Sequence, residues 1–130
     1  MKEVKRLWRS FGYAAEGWRH AIKTQRNLQI HVGVALAVVV LAYLLQVTRL
    51  EFSLLLLTIA LVWGLELMNT AIEAVVDLVS PDFHPLAKIA KDVAAGAVFI
   101  AVIIAVTIGI IIFGPPLYDI FAPMVVGTGK

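Results

Sequence analysis

Glu66, Asn69, Glu73 and Asp77 lie inside Phe52–Val79, an otherwise apolar run about long enough to cross a bilayer. At about 100° per residue the four fall at roughly 0°, 300°, 340° and 20° around a helix, so they project from one narrow stripe. A carboxylate inside a membrane is expensive. Three on one edge imply an occupation: holding a cation, relaying protons, or activating a hydroxyl that reacts.

A second group of polar residues follows. Residues 80–92 begin with Pro81 and Pro85 as punctuation and end on Lys91 and Asp92, at the mouth of the next apolar run. Antiparallel packing of the two runs would bring Lys91 near Glu73 and Asp77. Three carboxylates and a lysine at a water–lipid boundary suit a divalent cation and a polyanion. Mg²⁺ is commonly held by one or two carboxylates plus phosphate oxygens, and a lysine can neutralise charge on a transferring phosphoryl group. The plainer alternative is that Lys91 and Asp92 start a helix and pair with neighbouring charges.

Other chemistries find little support. There is no cysteine, which excludes disulfides and thiolate-ligated metals. His20, His31 and His84 are scattered and read as interfacial or hydrogen-bonding residues rather than metal ligands. The run Gly127-Thr128-Gly129-Lys130 echoes the end of a phosphate-binding loop, but Met124 stands where the first glycine belongs, so that reading is discarded.

The elements that must position these residues are membrane helices. With 130 residues, 61% of them hydrophobic, and a mean hydropathy of +0.91, the chain is far more apolar than a soluble domain. We expect an all-α integral membrane protein, one domain over residues 1–130, with three spans at residues 30–47, 52–79 and 93–113. Gly114, Pro115 and Pro116 are expected to stop the last span and leave 114–130 as a tail. Residues 1–27 read differently. Val4, Trp8, Phe11, Ala15, Trp18 and Ile22 recur at spacings of 3 and 4 with basic residues between them, the pattern of an amphipathic interfacial helix. Gly12 and Gly17 are expected to loosen or bend it, and charges interleaved with its apolar residues argue against a cleavable signal peptide. Seven of the eleven Lys and Arg precede the first span and Lys88 and Lys91 lie after the second, which predicts a cytoplasmic N-terminus and leaves Glu73 and Asp77 towards the cytoplasmic end of their span.

Two segments carry a resemblance to a known family. Glu66-Leu67-Met68-Asn69-Thr70-Ala71-Ile72-Glu73-Ala74-Val75-Val76-Asp77, then Ala90-Lys91-Asp92-Val93-Ala94-Ala95-Gly96-Ala97-Val98, resemble the signature of the prokaryotic diacylglycerol kinases. Gly12-Tyr13, Gly17 and Arg19 fit the same pattern, and the likeness runs from about residue 6 to 113. Pro85-Leu86-Ala87-Lys88 and Asn27 with Ile30-His31 look closer to the undecaprenol kinase branch than to the diacylglycerol branch.

The resemblance implies a bacterial cytoplasmic-membrane homotrimer that uses ATP and Mg²⁺ to phosphorylate a lipid alcohol, with the lipid site between subunits and no nucleic acid as partner. It implies Glu66 as general base, Asn69 as an orienting group, and Lys91 as the residue offsetting charge on the γ-phosphoryl group. It places Mg²⁺ on Glu73 and on the position held here by Gln25, and nucleotide contacts on Arg6, Tyr13, Asp82, Phe83, His84 and Asp92, with Asp77 in support. Gln25 departs from the family's usual glutamate; an amide oxygen brings no charge, so metal affinity should fall. A proton- or cation-coupled transporter is the rival from another class, since such proteins also carry intramembrane carboxylates, but a conduction path has no need of Lys91-Asp92. A non-catalytic membrane scaffold ranks last, because it leaves the aligned stripe unexplained.

Overall fold

A computed structural model describes residues 1–126 of the chain, with side chains as far as residue 123. Four helices follow one another: α1 (Lys2–Thr24), α2 (Arg26–Leu44), α3 (Arg49–Val79) and α4 (Pro85–Val126). Three are long and apolar enough to cross a membrane: α2 and α3, each with mean hydropathy 1.9, and α4 over Pro85–Pro123 with 3.0. Helix α1 is the amphipathic element, with Val4, Trp8 and Phe11 exposed beside its charges.

The boundaries differ from those expected in three places, each for a physical reason. Helix α1 runs unbroken through Gly12 and Gly17, and the chain breaks instead at Gln25, whose backbone is extended at φ −102° and ψ 107°. No proline or glycine marks that break; packing on either side fixes it, with Ala21 and Leu28 both buried. Gln29 Nε2 reaches back across the junction to donate to the Ile22 carbonyl at 2.8 Å, satisfying one of the acceptors a helix end leaves open. The first span therefore begins at Arg26 rather than residue 30.

The connection after α3 is only Ser80–His84. Pro85 sits in the first turn of α4, where its missing N–H costs nothing, and His84 Nδ1 accepts from the Leu86 N–H at 3.2 Å. Lys91 and Asp92 thus belong to a helix two turns long at that point, not to a loop. At the other end α4 continues past Gly114, Pro115 and Pro116 instead of stopping there. A membrane helix tolerates such prolines where a neighbouring helix holds it. Here Leu117, beyond the prolines, packs on the buried cluster of Ala42, Leu55, Ile112 and Phe113, which joins α2, α3 and α4 at the end opposite the carboxylate stripe. The end of the expected tail, residues 127–130, lies outside the described residues.

Helix α3 packs chiefly on α4 and less on α2, while α1 touches both α2 and α3. Its start is fixed by a complete capping box. Thr48 Oγ1 accepts from the Glu51 N–H at 3.3 Å, and Glu51 Oε2 accepts from the Thr48 N–H at 2.8 Å. With 31 residues α3 is about 46 Å long at about 1.5 Å per residue, well beyond the hydrocarbon thickness of about 30 Å. Counted from the cap, its last turns, with Glu73 and Asp77, reach the interface, while Glu66 stays inside the apolar zone. Thr48→Ala removes one side of the box and should lower stability by about 1 kcal/mol, read as a reduced thermal midpoint in detergent micelles.

Candidate functional site

Periodicity alone puts Glu66, Asn69, Glu73 and Asp77 on one face of α3, and the structure divides them by depth. Glu66 is 3% exposed, Asn69 and Glu73 are half-buried, and Asp77 is exposed. Each has a different partner, and the partners come from three helices.

Glu66 is paired across the helix interface. Its Oε1 lies 3.1 Å from Nε2 of His31 on α2. Its other oxygen, Oε2, has no hydrogen-bond partner among the described residues, yet it is not sealed from the surface. Thr70 Oγ1, one turn on, donates to the Glu66 carbonyl and so faces back along the helix. Next to this pair Trp63 of α3 meets Trp18 of α1 with ring centroids 5.2 Å apart and tilted by 51°. This aromatic contact fastens the interfacial helix over the deep end of the stripe.

One turn towards the interface, Asn69 Nδ2 donates to Glu73 Oε1 at 2.9 Å. Asn69 Oδ1 is buried and without a partner, a sealed acceptor of the kind that native proteins rarely leave unmet. The amide N–H thus holds one oxygen of Glu73, while the carboxylate's other oxygen is left for a further partner. Among the described residues no three His, Cys, Asp or Glu converge on one point, so the protein itself does not build a closed metal cage. Hard oxygen donors of this number fit Mg²⁺ as it is bound in phosphoryl-transfer sites, where phosphate oxygens and water complete the shell.

At the end of the stripe Lys91 of α4 donates to Asp77 Oδ1 at 2.5 Å, the meeting that antiparallel packing of α3 and α4 requires. Asp92 pairs with Lys88 on its own helix. The remaining sequence candidates are not drawn to the stripe within this chain. Arg6 pairs with Glu3 at 3.2 Å on an exposed face of α1, and Tyr13 is exposed on the same helix. Asp82, Phe83 and His84 are exposed in the turn between α3 and α4. Gln25 sits half-buried at the α1–α2 junction.

From His31, the partner of Glu66, an apolar groove of about 550 Å³ leads away between α2, α3 and α4, lined by His31, Trp63, Thr58, Val106, Phe113 and other residues. One end is polar and the rest is hydrocarbon, which matches a molecule with a polar head and a long apolar chain. His31, read from the sequence as an interfacial or hydrogen-bonding residue, does form a hydrogen bond, but its partner, Glu66, was not foreseen. The signal available was its place near the start of the first span, at the depth where an antiparallel neighbour would carry Glu66.

The profile described as prokaryotic diacylglycerol kinase matches residues 12–113. The chain is 43% identical over 115 residues to undecaprenol kinase of Bacillus subtilis, an alignment covering 88% of this chain and 94% of that one. It is 49% identical over 112 residues to diacylglycerol kinase of Synechocystis, covering 85% of this chain and 64% of the relative. To diacylglycerol kinase of Escherichia coli K12 it is 40% identical over 102 residues, covering 78% and 83%.

The Lys91–Asp77 pair is solvated, with side chains 37% and 66% exposed. Asp77→Asn should therefore cost no more than about 1 kcal/mol of stability, seen as a small shift of the thermal midpoint in micelles.

Proposed function

The chain belongs to the prokaryotic diacylglycerol kinase family, and from that premise, which makes it a multi-pass membrane lipid kinase, we propose that it transfers the γ-phosphoryl group of MgATP to undecaprenol. The choice of lipid rests on the 43% identity to an undecaprenol kinase across 94% of that protein's length. Diacylglycerol is the second reading, favoured by the 49% identity to the Synechocystis enzyme. Both are alcohols at the end of long apolar chains, and the groove that starts at His31, the partner of Glu66, suits the shared design.

The reaction runs as a direct in-line displacement. The lipid oxygen bonds to the γ-phosphorus, the bond from that phosphorus to the β–γ bridging oxygen breaks, and ADP leaves with the electron pair. Glu66 takes the hydroxyl proton; it is the deepest carboxylate of the stripe, at the level a membrane-bound hydroxyl can reach. Glu73 would hold Mg²⁺ and so orient the triphosphate, with Asn69 orienting the Glu73 carboxylate through its amide N–H, and Gln25, away from the stripe of its own chain, would add a weaker, uncharged donor only from a neighbouring copy. A divalent cation held by these residues would supply charge neutralisation to the triphosphate. Lys91 supplies positive charge to the transferring group once it exchanges Asp77 for phosphate, while Asp92 holds Lys88 beside it. Catalysis is then mostly positioning and charge neutralisation, as a loose phosphoryl-transfer transition state requires.

Arg6, Tyr13, Asp82, Phe83 and His84 lie away from the stripe of their own chain and are exposed, which suits nucleotide contacts completed by a neighbouring copy in a homotrimer. The N-terminus and the α3–α4 turn face the cytoplasm, where ATP is, because nine of the eleven basic residues lie on that side.

Incubating purified protein in mixed micelles with labelled ATP and either undecaprenol or diacylglycerol tests the assignment. Label should enter undecaprenol faster; preferential labelling of diacylglycerol would reverse the choice of lipid, and label in neither would sink the reading. Glu66→Gln should reduce turnover by at least about 100-fold with MgATP binding intact, and Glu73→Gln should weaken both. Equal loss of nucleotide affinity in the two variants would refute the division of roles.

A further inference from the structure

We infer that His31 is a positioning residue for the reaction: its Nε2–H holds Glu66 Oε1 so that Oε2 alone is presented to the lipid hydroxyl. The inference rests on Glu66 being the general base, and adds a residue on another helix through which that base acts.

The argument begins with a donor inventory. A general base is ionised before it takes its proton, and an ionised carboxylate accepts and cannot donate, so in that state the 3.1 Å contact places the proton on Nε2. Glu66 is 3% exposed, and His31 is its only side-chain hydrogen-bond partner among the described residues. Without that partner the carboxylate would be buried in an apolar setting and free to rotate about its side-chain torsions. A glutamate on a helix has three such torsions, and a general base is effective only when its oxygen stands within hydrogen-bond reach of the proton it takes. The interhelical bond ties the carboxylate to α2 while its backbone belongs to α3, which fixes the plane of the group from outside its own helix.

The two oxygens then have different duties. Oε1 is occupied by His31, whereas Oε2 has no partner and is not sealed. His31 also lines the polar end of the apolar groove, so the bond lies where a hydroxyl carried by a chain in that groove would arrive. When the hydroxyl oxygen attacks phosphorus, its proton passes to Oε2 and is later released to water. The His31 N–H remains where it was. His31 neither gains nor loses a proton in the step, which distinguishes positioning from a relay.

The experiment compares three substitutions in the full chain in micelles, with kcat and KM measured for lipid and for MgATP. Gln places its amide nitrogen the same number of bonds from Cα as Nε2 of histidine, so His31→Gln keeps a donor for Glu66. His31→Leu removes it, and His31→Asn keeps a polar amide that falls one bond short. Leu and Asn should lower kcat by 10- to 100-fold, on the order expected for a misplaced catalytic group, with KM for MgATP unchanged. Gln should recover most of the loss. If His31→Leu does not fold, the Asn and Gln pair carries the comparison, since both are polar and differ only in reach. Equal rates for Asn and Gln, or a loss confined to KM for MgATP, would overturn the inference. Glu66→Gln, assayed beside them, separates the two levels: normal turnover there removes Glu66 as base, whereas an inactive Glu66→Gln with a fully active His31→Leu removes His31 alone.

Discussion

A carboxyl group on Glu66 has to be accommodated in a place where water does not reach freely, and much of the arrangement around it follows from that demand. Placing an unpaired carboxylate in hydrocarbon costs several kcal/mol or more, and the usual remedies are a partner or a proton. This chain supplies a partner from the adjacent helix. Packing α2 against α3 at the register that joins His31 to Glu66 also joins Ala42 to Leu55 at the far end, so one rotation of the helix pair satisfies the buried charge and the apolar cluster together.

The stripe itself then forms a graded series. Glu66 is buried and tied to α2, Glu73 is half-buried and tied to Asn69, and Asp77 is exposed and tied to Lys91 of α4. Each step outward brings more water and a more exchangeable partner. An exposed ion pair is worth little in stability, which makes the outermost contact the one easily surrendered to a polyanion. The innermost contact is the one the fold cannot give up without leaving a buried charge alone. Stability and chemistry therefore make the same ordering along a single helix edge.

The alignment of the stripe was legible in the sequence because helical periodicity is a local property: Glu66, Asn69, Glu73 and Asp77 must share a face once Phe52–Val79 is helical. The meeting of Lys91 with Asp77 was also legible, since a short turn between long helices leaves antiparallel packing as the simple outcome. What His31 touches was not legible, because the rotation of α2 against α3 is set by packing over both helices and no single spacing records it. The break at Gln25 was hidden for a similar reason; neither glycine nor proline marks it, and Gly12 and Gly17, which look like breakers, sit within an intact helix. Pro115 and Pro116 misled in the opposite sense. Rules drawn from isolated helices count the lost hydrogen bonds but not the Leu117 packing that keeps α4 helical beyond them.

The length of α3 has a consequence for where this protein can work. Because the helix is uninterrupted from Arg49 to Val79, Glu73 stands at a fixed distance from the Thr48 cap, like a mark on a ruler. Membrane thickness then determines whether that mark stands in water or in acyl chains. In a thin bilayer the Glu73 end rises clear of the surface; in a thick one it sinks, and the helix answers by tilting or by drawing the lipid inward. Lipid composition thereby becomes a setting for the enzyme as well as the source of its substrate.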